Sequence, residues 1–139
     1  MAFVAVGRGL VVLLVVLIAW EARAEHEANH RYVILGYIKD AEGHPLHGVV
    51  VRVTRVKTGL NYEETSDQSG FYAIIVHLHD EDLGDQLQVA AQTVSLIHAA
   101  QFNAQDARTE RGTRLDVVGT RIEERRSWFL GTLAQYLSR

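Results

Sequence analysis

The two-residue alternation of residues 32–56, broken once by a cluster of turn formers, constrains the fold more than any other stretch. In YVILGYIKDAEGHPLHGVVVRVTRV, Val33, Leu35 and Tyr37 share one side of an extended chain, and Tyr32, Ile34 and Ile38 share the other, because successive strand side chains point to opposite faces. Both sides are largely apolar, which predicts a strand with little polar face. Asp40 can cap the turn that follows, Gly43 can take a positive φ, and Pro45 holds its neighbour extended. In the second strand Val49, Val51 and Val53 alternate with Val50, Arg52 and Thr54. One face is apolar and one mixed, as expected of a sheet with one side on a core.

The rest of the alternation extends this pattern. TSDQSGFY at 65–72 is a second glycine-marked turn ahead of a strand, FYAIIVHLH, that places Tyr72, Ile74, Val76 and Leu78 inward and turns His77 and His79 outward together. LNYEETS carries Glu63 and Glu64 and reads as a short edge strand, since charged edges discourage unwanted pairing. DEDLGDQ, 80–86, reads as a solvated acidic loop; QLQVAAQTV points Leu87, Val89 and Ala91 inward; SLIHAAQFN continues as a strand or extended return. TRLDVV, with Leu115 and Val117 inward, closes the set. Seven such segments in about 90 residues, separated by regular turns, predict a β-sandwich over residues 31–118.

The spacing of Gly36, Asp40, Gly43, Pro45, Leu46, Gly48 and Val49, followed by Thr65, Asp67, Gly70 and Tyr72, resembles the carboxypeptidase regulatory-like domain. That resemblance implies an all-β, seven-stranded Greek-key prealbumin-like sandwich, and a role as an accessory or structural module rather than an enzyme. Prealbumin-like sandwiches also include the enzyme that hydrolyses 5-hydroxyisourate, but its family ends in YRGS where this chain ends in YLSR.

Outside the sandwich the pattern changes at both ends. Residues 10–19, LVVLLVVLIA, follow Arg8 and precede Ala22 and Ala24, so 1–24 read as an N-terminal hydrophobic helix, either a secretory signal or a retained membrane anchor over 3–22. Either reading places the folded part in the periplasm or on the extracellular side of the membrane. Residues 25–30, EHEANH, form a polar linker. At the other end, 119–139 read as an amphipathic helical tail, with a helix from about Glu123 to Leu137, because Phe129, Leu130, Leu133 and Leu137 recur at helical spacing.

The 139 residues carry a formal charge of -3 with the two signs interspersed, and no cysteine. Such a chain has no positive field to attract nucleic acid, no disulfide and no thiol nucleophile. No glycine-rich phosphate loop, HExxH or GxSxG motif occurs, so no catalytic residue and no cofactor is assigned. His77 and His79 on one strand face, with His44 and His47 flanking Pro45, offer only pairs of imidazoles, whereas zinc or copper asks for at least three donors. The sequence therefore predicts a non-catalytic accessory subunit of a membrane-associated cell-envelope assembly. The tail residues Arg125, Arg126, Trp128, Phe129, Leu130, Leu133 and Leu137 are expected to meet a protein partner, the mixture of aromatic and arginine side chains suiting an interface; a helix folded back over its own sheet, or one lying on a membrane surface with Trp128 and Tyr136 as anchors, are the other readings. The alternative is a small periplasmic copper- or zinc-binding protein.

Overall fold

Alternating apolar residues become strands throughout residues 28–139, the part of the chain that the computed structural model describes. The strands are β1 (Arg31–Lys39), β2 (Val50–Arg55), β3 (Asn61–Thr65), β4 (Phe71–His77), β5 (Gln86–Ala91), β6 (Val94–Ala99), β7 (Gly112–Val118) and β8 (Arg121–Glu124), followed by one helix, α1 (Phe129–Leu137). They form two four-stranded sheets, one in the order β4-β1-β7-β8 and one in the order β3-β2-β5-β6. Neighbours pair antiparallel except β1 and β7, which run parallel.

This architecture corrects the expectation of a seven-stranded, wholly antiparallel Greek-key prealbumin-like sandwich: the described residues form an eight-stranded, two-sheet β core with one C-terminal helix. The eighth strand was expected as the start of a long helix. Its sequence, RIEE, has a single apolar position, and antiparallel pairing with β7 across the Gly119–Thr120 turn, from Arg121 opposite Val118 to Glu124 opposite Leu115, makes it a strand. Helix α1 is correspondingly shorter than 123–137, beginning at Phe129 after a 3₁₀ turn at Arg126–Trp128. The expected N-terminal hydrophobic helix lies outside the described residues.

The core between the sheets is built from one parity of each strand. Tyr32, Ile34, Ile38, Tyr72, Ile74, Val76, Leu115 and Val117 of the first sheet face Val51, Val53, Leu87, Val89 and Ala91 of the second. Both apolar faces of β1 find cover, for Val33 and Leu35 are buried on the outer side against Phe71, Phe129 and Leu133. A strand buried on both faces carries an almost continuous apolar run, which accounts for the composition of β1.

The turn at 65–72 is held by Asp67. Its Oδ1 accepts hydrogen bonds from the Ser69 hydroxyl at 2.7 Å and from the backbone N–H groups of Ser69 and Phe71 at 2.8 and 3.0 Å. These bonds, the Ser69 hydroxyl first, draw the Asp67 carboxyl below the ordinary carboxylate range. Gly70 has φ +80°, and a Cβ there would lie 2.5 Å from the Ile38 carbonyl oxygen. Positive φ is strongly unfavourable for a β-branched residue. Gly70→Val is therefore expected to lower the unfolding free energy by at least about 1 kcal/mol, read as a lower urea midpoint.

Inside the core the Tyr32 hydroxyl and Nε2 of His98 share a hydrogen bond at 2.7 Å. Burial raises the Tyr32 pKa to about 12. It also lowers that of His98, an effect that nearby Glu124 opposes and Arg126 reinforces. The folded state thus favours neutral His98. Its contribution to stability is complete above the ordinary histidine pKa of about 6.5 and is lost as pH falls through the lower folded value. Urea midpoints measured between pH 7.5 and 5 should fall in the wild type and fall less in His98→Gln, which keeps an acceptor for Tyr32 but cannot titrate. Parallel profiles would refute the assignment.

Candidate metal centre and the adjoining groove

The outer face of the first sheet carries the features with chemical potential, and α1 defines one end of it. The helix is seated by one glycine and a charged latch. A Cβ on Gly112 would overlap the Phe129 ring and the Val33 carbonyl, so the absence of a side chain there admits Phe129. Arg114 grips Asp116 through Nε and Nη2 at 2.9 to 3.2 Å and donates to the Thr132 hydroxyl at 3.0 Å. Its guanidinium also lies over the rings of Tyr37 and Trp128, 4.9 and 5.2 Å from their centroids. At the far end of the helix, Tyr136 packs on Phe71 with centroids 5.2 Å apart, and Arg139 reaches Asp67 at 3.4 Å.

Between this helix and β3 lies a groove of about 360 Å³. Its floor comes from outward residues of β1 and β4, including Val33, Ala73 and Ile75; Leu133, Tyr136 and Leu137 wall it on the helix side, and Tyr62 and Glu64 on the β3 side. Ile75 and Leu137 are 58% and 67% exposed.

Along β4 beyond Ile75, on the same strand face, stands His77. The antiparallel register sets His77 opposite Arg31, and the Leu78 N–H donates to the His30 carbonyl at 3.2 Å. This pairing brings His30, in the 3₁₀ turn at Ala28–His30, beside the two histidines of the strand end. Nε2 of His77 and Nε2 of His79 are 3.0 Å apart. The His30 ring centroid lies 4.8 Å from that of His79 and 6.2 Å from that of His77. Three imidazole rings therefore lie at one sheet corner, His77 and His79 with their Nε2 atoms in contact and His30 edge-on beside them.

His79 is further fixed by its neighbours. Its N–H donates to Asp82 Oδ2 at 2.8 Å, and its carbonyl accepts the Asp82 N–H at 3.0 Å. Asp82 is buried and lies 3.5 Å from Arg55, which also binds Asp85 at 2.5 Å, while Asp80 binds Arg111 at 2.7 Å. Three acidic side chains of the mostly exposed stretch 80–86, Asp80, Asp82 and Asp85, thus serve as ion-paired anchors.

A second group, Asp40, Glu42 and His44, brings its ligand atoms within 4.8 Å of one another on the β1–β2 connection. Local bonding accounts for it. Asp40 Oδ1 accepts the N–H groups of Glu42 and His44 at 3.0 and 2.9 Å, and Oδ2 lies 3.1 Å from His44 Nδ1. These bonds, the His44 N–H first, lower the Asp40 pKa. His47 is exposed on the same connection.

The residues expected to meet a partner divide in two. Phe129 and Leu133 are buried within the chain, 4% and 6% exposed, whereas Trp128, Leu130 and Leu137 are 52%, 52% and 67% exposed. Arg125 lies over the Trp128 ring at 5.0 Å and binds Glu123, and Arg126 binds Glu124. His30, which the sequence left in a linker, is the residue that the sequence reasoning missed. Its only signal was the coming antiparallel pairing of the strand after it with the strand that ends in His-x-His.

No family model and no curated protein matches the chain. Solved structures that match include chlorocatechol 1,2-dioxygenase from Pseudomonas putida, at TM-score 0.45 and 15% identity over 69% of this chain and 61% of that one. Hydroxyquinol 1,2-dioxygenase from Pseudomonas putida DLL-E4 matches at TM-score 0.45 and 13% identity over 69% and 57%. The dioxygenase domain of a dioxygenase carbohydrate-binding protein fusion from Streptomyces sp. SirexAA-E matches at TM-score 0.39 and 15% identity over 69% and 76%. The chain thus spans less than two thirds of the length of the first two.

These findings correct several expectations. The matching structures are dioxygenases and not carboxypeptidase regulatory-like domains, so that resemblance is withdrawn. The non-catalytic accessory role was to rest on the tail meeting a partner, and the tail instead buries Phe129 and Leu133 on its own sheet. Neither that role nor the exclusion of catalysis is retained. The membrane-associated partner is withdrawn with that role, and membrane anchoring is not retained. Among the described residues no helix is long and apolar enough to cross a membrane, and residues 3–22 lie outside them.

Proposed function

We propose that the protein binds a divalent transition-metal ion, copper or zinc, through His30, His77 and His79. The meeting of three imidazoles at one corner of the first sheet carries this reading. A tetrahedral ion with metal–nitrogen distances of about 2.0 to 2.1 Å holds its nitrogens roughly 3.3 Å apart, and His77 Nε2 and His79 Nε2 already stand at 3.0 Å. Imidazole suits both zinc and copper, and copper(II) binds nitrogen sites more tightly than zinc. Three protein donors leave a position for water or a ligand, as catalytic rather than structural zinc sites do. An ion so held can polarise a bound donor or activate a water. The Arg55–Asp82 contact and the two Asp82–His79 bonds set the His79 backbone, so the pair is held at a strand end rather than on a free loop.

Titration calorimetry of the full chain with copper(II) or zinc should show one site per chain. His77→Ala with His79→Ala should abolish it, and His30→Ala should weaken it by about tenfold or more, since a third donor is lost. Asp40→Asn should leave it intact. Binding that survives the double variant and disappears with Asp40→Asn moves the ion to the β1–β2 connection and overturns the assignment.

A further inference from the structure

We infer that the groove on the outer face of the first sheet is a binding site for a small hydrophobic cation, an amine or quaternary ammonium on an apolar body. The inference does not depend on the metal centre. About 360 Å³ falls within the roughly 300 to 1,000 Å³ of small-molecule sites. Ile75 and Leu137, 58% and 67% exposed among the described residues, present apolar surface into it.

The sign of the ligand follows from the rim. Three carboxylates, Glu63, Glu64 and Glu110, line the groove against one guanidinium, Arg31. Arg31 is engaged by Glu110 through Nε at 3.2 Å and Nη2 at 2.5 Å, and Glu63 is engaged by Arg52 at 2.5 Å. Glu64 enters none of the ion pairs among the described residues. One negative charge is left beside an apolar floor, with Tyr62 and Tyr136 on opposite walls. Aromatic faces attract a cation that has shed its water, most strongly when the site is desolvated. The wall is preformed as well, since Tyr136 stacks on Phe71 and Arg139 ties the helix end to Asp67.

The test is calorimetry of the full chain at pH 7 with octylammonium, octanol and octanoate, in the presence of EDTA. The chelator keeps any ion at the histidines out of the measurement, so the two readings stand or fall separately. Octylammonium should bind at least tenfold more tightly than octanoate, with octanol between. Glu64→Gln should bring octylammonium to the level of octanol, and Glu64→Lys should favour octanoate. Ile75→Trp, at an exposed position, should fill the groove and abolish all three, with the circular dichroism spectrum unchanged. Should that variant misfold, the two Glu64 variants decide alone. Equal or tighter binding of octanoate by the wild type, or octylammonium binding indifferent to Glu64, overturns the inference.

Discussion

The parallel seam between β1 and β7 is the contact on which the rest of the molecule depends, and at its centre the backbone ladder lapses. Pairing runs from Val33 with Gly112 to Leu35 with Arg114, and resumes at Ile38 with Val117. In the gap a Cβ on Gly36 would overlap the Leu115 carbonyl, so only glycine permits the approach. The Tyr37 N–H, which has lost a place in the ladder, donates instead to Asp116 Oδ1 at 3.0 Å. A buried backbone donor left unpaired would cost about 1 to 3 kcal/mol, and a buried carboxylate needs a partner of opposite charge. Asp116 meets both needs because Arg114 holds it in a two-pronged grip.

That grip carries over to the helix. Arg114 reaches Thr132, and the Thr132 hydroxyl also donates to the Trp128 carbonyl at 2.7 Å. Phe129 enters above Gly112, so the two strand glycines, one excluding a clash and one admitting a ring, bring β1, β7 and α1 together. The nine-residue helix packs on β1, β7 and the Phe71 end of β4 and, among the described residues, leaves a strip of β4 at Ile75 and His77 exposed. The groove and the histidine corner both lie on that uncovered strip. They are consequences of where the helix stops, at the Phe71 and Asp67 end of β4, while His77 closes the other end of the strand.

Electrostatic anchoring at the histidine corner follows the same economy. Arg55 from the second sheet holds Asp82 and Asp85, and Arg111 beside β7 holds Asp80 while stacking on Phe102 at 4.3 Å. The short connection between β4 and β5 is thereby tied to both sheets. A partly buried ion pair of this kind contributes mainly by fixing geometry, because desolvation offsets much of its Coulomb attraction.

Period-two alternation was enough to mark β1, β2, β4, β5 and β7 as strands and, for all but the doubly apolar β1, which side faces the core, since that pattern depends only on the local geometry of an extended chain. The turn at Gly70 was legible for a similar reason: Asp67, Ser69 and Gly70 satisfy it within six residues. Strand β8 was not legible, for with one apolar residue in four it takes its conformation from β7. The start of β6 at Val94 was also hidden, because the two-residue turn before it uses Gln92 at φ +53°, a position where sequence reading expects glycine or asparagine. Only the tertiary structure decided the candidate site. His77 and His79 share a face by strand parity, but His30 joins them through a pairing between strands about 40 residues apart in the chain, and no local pattern encodes which strand lies beside which. The same holds for the tail: helical spacing marked Phe129 and Leu133 as one face, and the glycine at position 112 determined that the face packs on its own sheet.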